Sequence, residues 1–330
     1  MIAPPDDIRL DQEPAVAFRY DPELEPLLAP VARAVAAGDS SSERGWREVR
    51  EESELGLSML NDMTPPVPGV SSADYELARD GGDEIALRWY VPDETDRGSA
   101  VVYLHGGGMI CGSVDLYEPV VAAYVAASGV PMLAVDYRVA PEHPHPTPVE
   151  DCFAALGWLR EHAAELGTDP ERIAVMGDSG GGGLAAGVAL LARDRGTPLA
   201  RQILVYPMLD DRNTTPDPEL VPFAAWTYDS NRIGWTALLG ESTGGGDVPS
   251  YAAPAREQDL AGLAPSYIEV GELDIFRDED IDYARRLAAA GVSVELHVHP
   301  GAPHGFDRIA PDSGLVRRAM ADRLRVLRAL

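Results

Sequence analysis

The run Gly177-Asp178-Ser179-Gly180-Gly181 fits the pattern G-x-S-x-G, and that pattern has a mechanism. A serine on a sharp strand-to-helix turn is pushed into a strained backbone conformation, and glycines on either side avoid the clashes there. The helix that starts at the turn points its free N–H groups, and the positive end of its dipole, at the site. A glycine-rich turn would share the composition. The apolar Ile173–Met176 before it and a helical stretch from Gly180 to about Arg195 after it make Ser179 a candidate nucleophile. His105-Gly106-Gly107-Gly108 follows an apolar strand. Three consecutive glycines leave backbone N–H groups unshielded, which suits an oxyanion hole. A phosphate cradle competes with that reading, but no lysine follows and no G-x-x-x-x-G-K-[ST] is present. His105 itself reads as a residue that hydrogen-bonds the loop.

A serine nucleophile needs a base, and the base needs a carboxylate to orient it. Downstream of Ser179, His297 and His299 alternate with Leu296 and Val298 and read as a solvent-facing pair on a strand. His304, in Gly301-Ala302-Pro303-His304-Gly305-Phe306, sits in a loop just past that strand, where a base reaches a serine at the sheet's carboxyl edge. Asp274 follows the strand Ser266–Val270 and is the candidate carboxylate. Glu272, Asp278, Glu279 and Asp280 are its rivals, more easily read as loop and helix-start charges. The order Ser179, Asp274, His304 is the one that α/β-hydrolases use.

Such a constellation needs a sheet whose strand ends converge. Glu84–Val91 and Ala100–His105 read as strands, the second almost wholly apolar and therefore central. Strand and helix then alternate: helix Pro119–Ala127, strand Pro131–Asp136, helix Val149–Leu166, strand Ile173–Met176, then strands Gln202–Tyr206 and Ser266–Val270, helix Ile281–Ala290, strand Val292–His299 and helix Arg317–Leu330. This predicts a doubly wound, mostly parallel sheet with ligands collecting at the strands' carboxyl ends. Helical stretches are expected around Leu24–Ala37 and Glu43–Asn61. The segment from Pro207 to about Gly262 breaks the alternation and is too long for a simple loop. The expected organisation is a cap segment over 1–65, a core over 66–206, a cap insertion over 207–262 and the rest of the core over 263–330.

Five ordered motifs now stand together: His105–Gly108, Asp136-Tyr137-Arg138-Val139-Ala140-Pro141-Glu142-His143-Pro144, Gly177–Gly181, Leu273–Glu279 and Pro303-His304-Gly305-Phe306. From about residue 70 to the C-terminus the chain resembles the hormone-sensitive-lipase-like (bacterial family IV) esterases. The resemblance implies an α/β-hydrolase fold with a helical cap, no cofactor, and hydrolysis of short- to medium-chain carboxylic esters. Mapped by motif, it implies Ser179 as nucleophile, His304 as base, Asp274 as its partner, and Gly106, Gly107 and Gly180 as oxyanion donors. One position departs from the family, which usually has Ala where this chain has Gly180. The backbone N–H survives that change, and a looser elbow is the expected cost. Met109, Tyr206 and Leu209, with Phe223 and Trp226, are candidates for an acyl pocket, though each also suits core or cap packing. Cys111 falls three residues past the glycine loop and reads as a small buried hydrophobe. The resemblance also implies a homodimer through the edge strand Val292–His299.

Composition sets the outer bounds. The chain has 330 residues, 45% of them hydrophobic, and a formal net charge of −27, which leaves room for a sizeable core and excludes a disordered reading. All 27 basic residues are arginine. Such an acidic field repels phosphate backbones and anionic headgroups, so no nucleic-acid partner is expected; it is compatible with activity in high salt, where screening relieves the repulsion. Two cysteines make no disulfide framework and no metal-ligand spacing. No signal-peptide pattern and no apolar run of membrane-spanning length are present, and a cytoplasmic enzyme is expected. A non-catalytic small-ligand receptor on the same fold, and an amidase, are the alternatives. The first would lack part of the triad, and nothing marks an amine site for the second.

Overall fold

The computed structural model describes residues 18–28, 44–79, 81–93 and 98–330. The helix expected over Leu24–Ala37 lies outside the described residues beyond Leu28. One sheet holds eight strands in the order β1-β2-β4-β3-β5-β6-β7-β8. They are β1 (Val70–Ala78), β2 (Glu84–Pro92), β3 (Ala100–Leu104), β4 (Met132–Val135), β5 (Ile173–Asp178), β6 (Arg201–Val205), β7 (Ser266–Gly271) and β8 (Val294–His299). β1 and β2 are antiparallel, as are β2 and β4, and every pairing from β4 to β8 is parallel.

The helices are α1 (Trp46–Met63), α2 (Val114–Ser128), α3 (Thr147–Glu161), α4 (Gly180–Asp194), α5 (Tyr228–Leu239), α6 (Arg277–Ala289), α7 (Phe306–Ile309) and α8 (Gly314–Arg328). β3 explains why they lie on both faces. All five of its residues are buried. Ala100, Val102 and Leu104 enter one apolar cluster with α3, α4 and α6, while Val101 and Tyr103 enter a second with α2 and α8. A strand buried on both sides cannot alternate apolar with polar, hence its continuous apolar run.

Several elements differ from the sequence expectation for local reasons. β1 is an additional strand; its residues are mostly exposed, so its run VSSADYELA carries little apolar signal. α2 begins five residues before Pro119, because Ser113 caps it by accepting the Leu116 N–H at 3.2 Å. α6 begins at Arg277, with Asp278, Glu279 and Asp280 in its first turn, where acidic groups favour the helix dipole.

The β8 expectation is reversed. Leu296 and Val298 are the exposed residues, at 36% and 38%, and the two histidines turn inward. His299 lies 3.6 Å from the buried Glu269 carboxylate, and His297 sits 2.7 Å from Glu295. These carboxylates hold the imidazoles on the inner face of the edge strand.

Helices from the two segments expected to form a cap, α1 and α5, pack against each other. Arg50 on α1 ties them to the core. Its Nε donates to the Ile110 carbonyl (2.6 Å), and its Nη2 donates to the Ala140 carbonyl (2.9 Å) and to Glu142 (2.7 Å). α1 is thus pinned to the loop that follows the three glycines. Among the described residues, no helix is long and apolar enough to cross a membrane.

Candidate active site

Ser179 stands between β5 and α4 with φ 55° and ψ −122°, a left-handed conformation that non-glycine residues avoid. The turn is locked from both sides: Ser179 N–H donates to the Val205 carbonyl (2.9 Å), and its own carbonyl accepts from Met208 N–H (2.9 Å). A Cβ at Gly177 would lie 2.3 Å from the Gly181 carbonyl oxygen, so glycine is required there. Beneath the turn, Asp178 accepts hydrogen bonds from the Tyr103 hydroxyl (2.6 Å) and the Tyr117 hydroxyl (3.0 Å). Burial raises its carboxyl above the usual range against the pull of those two hydroxyls. The motif's variable position is therefore a structural anchor, which its sequence context did not signal.

His304 reaches the serine from the loop after β8. Ser179 Oγ–H donates to His304 Nε2 at 2.9 Å, and His304 Nδ1–H donates to Asp274 Oδ2 at 2.6 Å. Asp274 is fully buried, and its other oxygen accepts from Phe276 N–H at 3.0 Å. An ionised carboxylate is acceptor-only, which fixes the proton on Nδ1 and leaves the Nε2 lone pair facing Ser179. Tyr206 and Phe276 pack edge-on to the imidazole, with ring centroids at 4.7 and 5.1 Å. Residues 125 and 30 positions apart in the chain thus meet in one hydrogen-bonded line.

The glycine loop lies against the start of α4. A Cβ at Gly180 would fall 2.8 Å from the Met109 amide nitrogen and 2.9 Å from that of Gly108. The missing methyl group therefore lets the loop's amides pack closely against Gly180. Among the described residues, the amides of Gly106, Gly107 and Gly108 donate to no backbone carbonyl. Gly106 packs against Asp178 and Tyr117, whereas Gly108 faces Gly180, so Gly108 joins the candidate donors that sequence reasoning named. His105 is buried, stacks on Tyr137 at 4.2 Å and contacts the Gly106 carbonyl through Nδ1. Cys111 donates its thiol proton to the Gly107 carbonyl (3.2 Å), and burial pushes that thiol up to about 12, so it packs the loop in its neutral form.

The proposed pocket residues are placed less openly. Met109 and Leu209 are fully buried and Tyr206 is 2% exposed, so their side chains offer a substrate almost no surface. Trp226 does. It is partly exposed, and the edge of its indole lies where a Cβ of Gly108 would be, 2.5 Å from that position. Its Nε1–H is buried with no acceptor among the described residues. A cavity of about 800 Å³ between Trp46, Pro144 and Leu239 lies apart from the triad, none of whose residues lines it.

Of the rival carboxylates, Glu272 accepts from Gly301 N–H (2.9 Å), Asp278 pairs with Arg277 (2.7 Å), and Glu279 accepts the amides of Leu209 and Asp210 (2.7 and 3.1 Å). Asp280 is different: it is fully buried and neither oxygen has a partner among the described residues. Burial, with Glu279 and Asp274 nearby, pushes its carboxyl well above the usual range. Folded protein then holds a proton that the unfolded chain releases above about pH 4, so this group lowers stability as pH rises from there. Asp280→Asn is expected to raise Tm by a few degrees at pH 8 and by less at pH 5. A Tm difference that does not grow with pH would contradict this assignment.

A parallel sheet with a strained serine at the β5–α4 turn, and a histidine and aspartate delivered from after β8 and β7, defines an α/β-hydrolase. A family profile described as alpha/beta hydrolase fold matches residues 101–308. Carboxylesterase NlhH of Mycobacterium tuberculosis is 38% identical over 313 residues, covering 90% of this chain and 92% of that protein. Ethyl acetate hydrolase of Pseudomonas putida is 33% identical, covering 89% and 96%. Among solved structures, a bacterial heroin esterase superposes with a TM-score of 0.82 at 38% identity, covering 94% of this chain and 97% of that one. The chain belongs to the α/β-hydrolase family, in its hormone-sensitive-lipase-like branch of bacterial carboxylesterases.

Proposed function

We propose that the protein is a serine carboxylesterase that prefers esters of compact acyl groups. The observation that carries this reading is the unbroken line from Ser179 Oγ through His304 to the buried Asp274. Ser179 Oγ attacks the ester carbonyl carbon as His304 Nε2 takes its proton. The carbonyl oxygen becomes an oxyanion held by backbone amides of the Gly106–Gly108 loop and of Gly180, each worth about 2.7–4 kcal/mol if lost. His304 then gives the proton to the departing alkoxide, leaving an acyl-serine. Water attacks that acyl carbon, His304 again takes and returns a proton, and the carboxylic acid leaves. None of these steps calls for a metal or a cofactor. Esters have better leaving groups than amides, which favours ester hydrolysis over the amidase reading.

Trp226 supports the preference for compact acyl groups, because its indole closes the Gly108 side of the site. The wild type is expected to hydrolyse p-nitrophenyl acetate and butanoate faster than octanoate and palmitate. In Trp226→Ala the ratio of octanoate to acetate kcat/KM should rise at least about tenfold, the discrimination one or two methylenes provide in an apolar pocket. An unchanged chain-length profile would remove Trp226 from the site.

A further inference from the structure

A closed ring of polar groups lies behind the triad, and the reaction steps above make no use of it. Tyr206 N–H donates to the Glu269 carbonyl (2.7 Å). The Glu269 carboxylate accepts from Arg323 Nε (2.6 Å) and also from Nη2. Arg323 Nη1 donates to Asp307 Oδ2 (2.5 Å), and the Tyr206 hydroxyl donates to Asp307 Oδ1 (2.9 Å), which closes the circuit. Arg323 and Glu269 are fully buried. Burial alone would raise the Glu269 pKa, and the Arg323 guanidinium beside it brings it down to about 2.

The members of the ring sit on the segments that deliver the triad. Glu269 is on β7, five residues before Asp274, and Asp307 comes three residues after His304. Tyr206 lies between Val205 and Met208, whose backbones hold Ser179, and its own ring edges onto the imidazole. Tyr206 also has φ 37°, a conformation that a bulky residue keeps only when its surroundings over-determine it. Hydrogen bonds at its amide and at its hydroxyl do so here. Removing a link should let the ring of Tyr206 relax, and the imidazole it packs against would then move relative to Ser179.

We propose that Tyr206 and Arg323 are positioning residues: the Tyr206–Glu269–Arg323–Asp307 ring holds the His304 imidazole in register with Ser179 and Asp274. The proposal rests on the esterase reading of the triad. Its test measures kcat and KM for p-nitrophenyl acetate, per active serine titrated with a p-nitrophenyl phosphonate, in the wild type, Tyr206→Phe, Arg323→Lys and Arg323→Met. The proton NMR resonance of the His304 Nδ1–H, far downfield because of its bond to Asp274, is followed in parallel.

Tyr206→Phe keeps the buried ring and loses only the bond to Asp307. It should lower kcat on the order of 10- to 100-fold with KM nearly unchanged, and should shift or broaden the Nδ1–H resonance, since small misplacements of a catalytic group cost this much. Arg323→Lys, which keeps the charge, should recover part of the kcat that Arg323→Met loses. A kcat per active serine equal to wild type in Tyr206→Phe, or a lower kcat with an unmoved resonance, overturns the proposal. Tyr206→Phe decides the matter even if Arg323→Met does not fold. An inert wild type would instead overturn the esterase reading itself.

Discussion

Ser179→Ala should hydrolyse p-nitrophenyl acetate on the order of 10⁶-fold more slowly than the wild type, while melting at or above the wild-type temperature. The loss follows from the arrangement: Ser179 Oγ is the atom that faces His304 Nε2, at 2.9 Å, and alanine leaves the base with nothing to deprotonate. The retained stability follows from the backbone. The turn is held by main-chain bonds to Val205 and Met208, which the substitution does not touch. A residual rate of roughly 10³–10⁴ over water would reflect the backbone amides and substrate binding alone. Steady-state assays on the folded variant, with circular dichroism to show that it is folded, check both halves.

Asp274→Asn should cost about 10⁴ in kcat, and the structure says why an isosteric change is so severe. Phe276 N–H donates to one oxygen of Asp274 and His304 Nδ1–H donates to the other. In asparagine the carbonyl oxygen stays with the Phe276 amide, which turns the NH₂ group toward His304. Two donors cannot face each other, so the imidazole gives up its Nδ1 proton and carries it on Nε2. That tautomer has no lone pair for Ser179. KM should change little, because the substrate does not touch a carboxylate that is fully buried. A kcat within about tenfold of wild type would show that Asp274 does not orient the base.

Ser179, Asp274 and His304 stand out in the sequence as a candidate triad because they sit just past strand ends, and strand ends can be read from apolar runs. β3 and β5 are buried on both faces, so their residues are continuously apolar and the loops that follow them stand out. β1 lacked that signal as an exposed edge strand, and β8 misled because its apolar residues face outward while carboxylates draw its histidines in. Neither pattern shows which carboxylate, on the same strand or its neighbour, a histidine will face. The positions that shape the site were least legible. Gly108 meets Trp226, and Tyr206 meets Asp307, across more than 100 residues, and Arg323 meets Glu269 across 54, separations that one-dimensional spacing does not encode. Gly180 shows the same limit: its glycine is explained only by the amides of Gly108 and Met109 that occupy the place of a methyl group.

The central claim is that Ser179 is an activated nucleophile, and a covalent label tests it most directly. The wild type, incubated with a p-nitrophenyl alkylphosphonate, should release p-nitrophenol and gain one phosphonyl group per chain by intact mass. Peptide mapping should place that group on Ser179, with Ser179→Ala unlabelled and ester hydrolysis lost in step with labelling. Labelling of another residue, or unlabelled enzyme that still hydrolyses short esters at the full rate after exposure, would contradict the account.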